Sequence, residues 1–233
     1  MRVTRKVLPI LLALQASVTA GQQSGGSTLS AFQRAKTESL LEHKLPCLGC
    51  HTLNGRGGRI GPDLSGVGAR LQRDRIRQQI EDPRAALPGG NMPRIPLPPA
   101  TLDLVVRYLS EQRAEVAPRA PVTSAAPVPA RTAGQQLYYK HCAACHGWTG
   151  QGDGWNAAQL DRPPARHADA RTMSLRTDDR LFDAIHAGSS ILGGSARMPP
   201  FGQTLSAQEI RLLVGHIRQL CRCRQPAWAD AAR

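Results

Sequence analysis

The chain has 233 residues, and its 30 Lys and Arg against 17 Asp and Glu give a formal net charge of +13. That charge is scattered rather than gathered into a Lys/Arg tract, and the N-terminus reads as an export signal, which together speak against a nucleic-acid binder and leave an acidic protein face as partner or a merely solubilising surface. Aromatic residues make up only 4%, too few to fill the cores of small modules unaided.

In chain order, Arg2, Arg5 and Lys6 form a basic head, an apolar run covers Val7 to Val18, and Val18 and Ala20 place small residues at the −3 and −1 positions before Gly21. This pattern predicts a signal peptide over residues 1–20. The run contains Pro9 and Gln15 and is far short of the roughly 20 apolar residues a membrane span needs. No cysteine follows it to carry a lipid, and no other stretch is apolar enough to span a bilayer. Cleavage would place the protein in the periplasm, without stable membrane insertion, at a net charge of +10. Residues 21–27 (GQQSGGS) read as a disordered leader.

The mature chain then divides in two. Residues 114–131, AEVAPRAPVTSAAPVPAR, carry four prolines and no amphipathic period; they predict an extended linker with a reach of roughly 3.1 Å per residue. It separates a module over 28–113 from one over 132–224, and 225–233 form a tail. Each module repeats one plan: a helix, a Cys-x-x-Cys-His, a Gly/Pro-rich loop, a middle helix, a Met-Pro and a final helix. The first final helix carries Leu102, Val105, Val106 and Leu109 at helical spacing; the second carries Ile210, Leu213, Val214 and Ile217, with Ser206 and Glu209 as a capping box. The middle helices are marked by Ile76 and Ile80, ended at Asp82-Pro83, and by Leu181, Phe182 and Ile185. No stretch alternates as a strand does, so both modules read as all-α.

Cys47-Leu-Gly-Cys50-His51 and Cys142-Ala-Ala-Cys145-His146 carry the chemistry. In such a segment two thiols form thioethers with haem vinyl groups and the adjacent histidine reaches the iron. Zinc binding and dithiol exchange are the rival readings of one copy, but two copies at matching places in a repeated helical plan point to two covalently attached haem c groups. Haem would also complete the thin cores. Met92 lies 41 residues after His51 and Met198 lies 52 after His146. Each is followed by proline just before the final helix, where a thioether can cross to the far face of a haem. Met173 competes in the second module but lacks that context. His51, Met92, His146 and Met198 are therefore the expected iron ligands, and His/Met ligation saturates the iron and raises its potential. Of the other histidines, His141 is too close to the second motif to reach the far face, and His186 and His216 read as surface or partly buried; these three, His43 and His167 stay unassigned.

Both halves resemble class I cytochrome c domains, and the tandem resembles the dihaem cytochromes c such as cytochrome c4. Gly61-Pro62-Asp63-Leu64 and Pro88-Gly89-Gly90-Asn91-Met92-Pro93 carry the likeness. The resemblance implies that Pro62 accepts a hydrogen bond from the His51 ring, and that Pro163 or Pro164 does so for His146. Two features depart from it. The linker is longer than the compact join of cytochrome c4, which speaks against a close, fixed pairing of the haems. The ending Cys221-Arg222-Cys223 lies outside the pattern and reads as a disulfide, within the loop or to another chain, with a metal or redox site at the end of the last helix as the rival reading.

These features imply electron transfer rather than catalysis, between a donor and an acceptor protein with acidic docking faces. A subunit of a periplasmic dehydrogenase is the alternative, and a haem enzyme with an open iron is a further one. Replacing Cys47, Cys50, Cys142 and Cys145 should leave a largely unstructured chain, because haem supplies much of each core. Far-ultraviolet circular dichroism checks this; a cooperative, helical apo-form would contradict it.

Overall fold

The structure, a computed structural model, describes residues 28–116 and 128–230. The segments expected to be a signal peptide and a leader, and the greater part of the expected linker, lie outside the described residues. The first module runs through α1 (Ala31–His43), α2 (Cys47–Cys50), α3 (Val67–Arg70), α4 (Arg73–Glu81), α5 (Pro83–Ala86) and α6 (Pro99–Ser110). Between α2 and α3, β1 (Thr52–Leu53) pairs antiparallel with β2 (Arg56–Gly57). Strands of two residues leave no alternation to read, which is why the sequence did not announce them. The second module runs through α7 (Ala133–His141), α8 (Ala143–His146), α9 (Ala170–Met173), α10 (Asp178–Ala187), α11 (Ala207–Cys221) and α12 (Ala227–Asp230). The fold is mostly helical, as the periodicity predicts.

Local chemistry starts and stops these helices. Ser30 and Gln33 form a capping box on α1, and Ser206 and Glu209 form one on α11, each satisfying two backbone donors that the helix leaves unpaired. Asp82 ends α4, accepts from the Ala85 amide and starts α5 with Pro83 at its first position, where the missing N–H costs nothing.

Each module has its own apolar cluster, built on its last helix. Leu102, Val105, Val106 and Leu109 of α6 are buried with Leu41, Leu48 and Ile76. Ile210, Leu213, Val214 and Ile217 of α11 are buried with Tyr138, Met173, Leu181 and Ile185. The first and last helices of each module meet. Glu111 accepts from the Leu29 amide and pairs with Arg34, tying α1 to the end of α6. In the second module α7 crosses α11 at Gly134, where a Cβ would press on the Leu212 carbonyl.

The long linker led us to expect loosely related modules; the two are instead in polar contact. Arg197 donates to the Leu41 carbonyl at 3.2 Å, the Arg94 amide donates to Thr204 Oγ1 at 2.9 Å, and Arg84 donates to the Thr204 carbonyl. Asn156 reaches into the first module as well. Linker length bounds the separation of two modules without requiring it, and surface complementarity closes the gap.

Two glycines of the second module give opposite expectations. Gly134→Val should destabilise it by about 1–3 kcal/mol, because the crossing has no room. Gly215, inside α11, has open space around its Cβ position, so Gly215→Ala should stabilise the helix by about 0.8–1.0 kcal/mol. Denaturant midpoints of the holo-protein check both.

Candidate functional site

α2 is a single helical turn closed by the His51 amide bonding back to the Cys47 carbonyl at 2.9 Å. That turn sets Cys47 and Cys50 three residues apart on one face, with His51 leaving it in extended conformation. The following loop then folds back beneath the ring. Gly61 donates its amide to the Cys50 carbonyl at 2.8 Å, and a Cβ at Gly61 would overlap the His51 imidazole. His51 Nδ1 donates to the Pro62 carbonyl at 2.8 Å. A carbonyl only accepts, so the proton sits on Nδ1 and leaves Nε2 as the nitrogen able to bind a metal.

The second motif is built alike. Cys142 caps α8 and its carbonyl accepts from the His146 amide at 2.9 Å. His146 Nδ1 donates at 2.9 Å to the carbonyl of Ala165, not to Pro163 or Pro164. The acceptor stands 19 residues after the histidine here, against 11 in the first module. The longer loop carries the two prolines past the ring, so the residue after them supplies the carbonyl.

Burial holds both imidazoles below their usual range, against the pull of the Pro62 and Ala165 carbonyls, so each is neutral and fit to bind a metal at pH 7. Burial pushes the thiols the other way: Cys47 up to about 11, Cys50 and Cys142 up to about 12, and Cys145 upward. None of these four is in a disulfide. Exchange-active cysteines have lowered values in electropositive, accessible settings, and these four are shifted the other way. Among the described residues no cluster of three or more His, Cys, Asp or Glu could hold a metal ion, so the zinc reading has no ligand set. Paired unbonded thiols on one turn, beside a neutral imidazole with Nε2 available, fit covalently attached haem.

Met92 and Met198 are half-buried in non-helical stretches ahead of α6 and α11, and Met198 packs against the second core. Met173 is fully buried on α9 among the apolar side chains of that core, the place of a filler. His43 and His186 are exposed. His216 is buried, where the sequence suggested surface or partial burial, and packs edge-on against Tyr138 at 5.0 Å. Cys221 and Cys223 are bonded to each other at the end of α11.

Two residues of the site were missed. His167 is buried and stacks on His146 with ring centroids 4.1 Å apart, while the Tyr138 hydroxyl and His167 Nδ1 share a hydrogen bond at 3.0 Å. Burial and the neighbouring His146 hold His167 well below its usual range. Asn156 is fully buried and lies within hydrogen-bond reach of both motifs. Neither belongs to a motif, and single polar residues in a long loop give no periodic signal.

Residues 41–117 match the family model described as cytochrome c. Residues 129–217 match the model described as cytochrome C oxidase, cbb3-type, subunit III. The chain therefore contains two cytochrome c-type domains in sequence, a type of domain that binds haem c covalently and serves haem-based electron transfer. Among solved structures, the KustC0563 c-type cytochrome is 29% identical, over 37% of this chain and 95% of its own, with a TM-score of 0.32. No curated protein matches the chain.

His141 gives the second domain a pH dependence. Its Nδ1 is buried without a partner, its ring packs on Phe201, and burial lowers its value to about 4. Between about 4 and the unfolded value near 6.5 the folded domain binds fewer protons, so stability falls as pH drops through that window. Denaturant midpoints should decline from pH 7 to pH 5, and His141→Phe should flatten part of that slope.

Proposed function

We propose that the chain is an exported dihaem cytochrome that carries single electrons between periplasmic proteins. One haem c is held by Cys47, Cys50 and His51, the other by Cys142, Cys145 and His146. Met92 and Met198 are the sixth ligands. The observation that carries this reading is the repeated turn: in both domains two thiols and a neutral imidazole are presented together, with Nδ1 committed to a backbone carbonyl.

Bound haem supplies a one-electron ferric/ferrous couple. The protein's part is to orient and tune. Pro62 and Ala165 fix the ring planes and raise the electron-donating power of Nε2. Met92 and Met198 would complete the ligand set of the bound groups, and the apolar clusters would keep water from them. The positive surface attracts acidic partners and speeds their encounter. An obligate subunit of a larger redox enzyme is the second reading, favoured by the likeness of the second domain to an oxidase subunit; co-purification of an enzyme from the native host would select it.

Protein matured with a haem-attachment system should give two covalent haems per chain by pyridine haemochrome. The oxidised form should show a weak sulfur-to-iron charge-transfer band that azide does not alter. Met198→Leu should abolish that band for one haem and make it azide-sensitive, while Met173→Leu should leave it intact. One haem per chain, or a high-spin signal from the unmutated protein, would overturn this reading.

A further inference from the structure

The two Cys-x-x-Cys-His segments lie against each other across the domain boundary, and one side chain joins them. Asn156 comes from the loop that follows the second motif, and that loop folds back along it. The Gly152 amide bonds the His146 carbonyl at 2.8 Å, Gly154 bonds the Cys145 carbonyl at 3.2 Å, and the Asn156 amide bonds the Ala144 carbonyl at 2.8 Å. The Asn156 side chain, fully buried, is thereby delivered to the other domain.

Both of its donor hydrogens and its acceptor oxygen are used. Nδ2 donates to the Gly49 carbonyl at 2.9 Å, inside the first motif, and to Cys145 Sγ at 3.3 Å, inside the second. Oδ1 accepts from the Arg59 amide at 2.7 Å. A carbonyl can only accept and an amide N–H can only donate, so this network fixes which way the side-chain amide faces. Aspartate could make neither donation, and an apolar residue would leave the buried Gly49 carbonyl and the part-buried Arg59 amide without their Asn156 partner.

The approach is close enough to dictate neighbouring residues. A Cβ at Gly49 would overlap the Arg197 carbonyl of the second domain, and one at Gly58 would overlap the Gly49 carbonyl and meet Asn156 Nδ2 at 3.0 Å. The first motif can pack against the second only with glycine at both positions.

We propose that Asn156 couples the two haem sites. It locks the first attachment segment onto the second, and its amide supplies a hydrogen-bonded path from the Cys47–Cys50 turn to the Cys145 sulfur. A thioether sulfur retains the weak acceptor character this contact needs. The exchange it serves is one electron: one site is oxidised from ferrous to ferric, the other is reduced from ferric to ferrous, and no bond or proton changes place. Donation to the sulfur also withdraws electron density from the second site and raises its potential. The inference rests on the dihaem reading above.

The test uses the full holo-protein and compares Asn156→Leu, Gly49→Ala and Thr204→Val with the unmutated chain. Haem content is read first, because two low-spin haems in each variant keep the dihaem reading intact whatever follows. Asn156→Leu should slow interdomain electron exchange severalfold after photoreduction of one site. It should also shift the second haem potential downward and leave the first in place. Gly49→Ala should slow exchange by wedging the segments apart while leaving the sulfur contact's donor unchanged. Thr204→Val removes a hydroxyl that joins the domains away from both motifs and should leave exchange and potentials unchanged. Unaltered exchange in both Asn156→Leu and Gly49→Ala would overturn the coupling role. Slowing of equal size in Thr204→Val would overturn it too, by showing that docking alone matters. If Asn156→Leu does not mature, the Gly49→Ala and Thr204→Val pair decides.

Discussion

An imidazole that is to bind iron through Nε2 must have Nδ1 satisfied by something other than water, and this requirement organises both domains. The histidine sits at the end of a single helical turn, which can fix the two thiols beside it but cannot supply an acceptor. A backbone carbonyl has to arrive from elsewhere, at 2.8 Å from Pro62 in one domain and at 2.9 Å from Ala165 in the other. The loops after each motif exist in the lengths that deliver it. The larger helices then hold those loops: α6 with α1 and α4 in the first domain, α11 with α7 and α10 in the second. Their apolar stripes form the cluster at the centre of each domain, and burial disfavours charge on both imidazoles.

The same constraint shapes the boundary between the domains. Because a loop must fold back over each motif, its backbone is available to meet the other domain. In the second domain the returning loop carries Asn156 across. Buried polar groups are costly unless paired, and the Asn156 side chain makes three hydrogen bonds, so the contact is specific where a greasy interface would slide. The apolar clusters of the two domains stay separate. Each domain retains its own core, and polar contacts set their relation.

What could be read in the sequence is what repeats or has a period. The stripes on α6 and α11, the capping box at Ser206 and Glu209 and the all-helical plan follow from side-chain spacing, and the two Cys-x-x-Cys-His motifs point to the cysteines and histidines on which the proposed function rests. The Pro62 acceptor came with a loop string that is short and well marked. The Ala165 acceptor did not, because in a loop eight residues longer nothing in the spacing tells which carbonyl ends beneath the ring. His167 and Asn156 were invisible for a related reason. Their roles come from tertiary neighbours, a stacked imidazole in one case and another domain in the other, and neither leaves a mark on local pattern. The linker misled because its length limits how far apart the domains can be, whereas their contact is decided by the faces that meet.

The two sites are alike in plan and unlike in surroundings, and that asymmetry bears on direction. Behind His51 lie a glycine backbone and an exposed proline. Behind His146 lies a second imidazole stacked at 4.1 Å and fixed by the Tyr138 hydroxyl, with His216 packed on that tyrosine. Burial disfavours a charged His167, so the polarisable ring at the back of the second site stays neutral, and Asn156 adds a donor to its cysteine sulfur. Hydrogen bonding and burial around the ligands are the levers by which a protein sets a haem potential. Two sites that differ in both are not interchangeable stations for an electron. On the dihaem function proposed above, a fixed interface between unequal sites would bias exchange in one direction, which identical domains on a loose tether would lack.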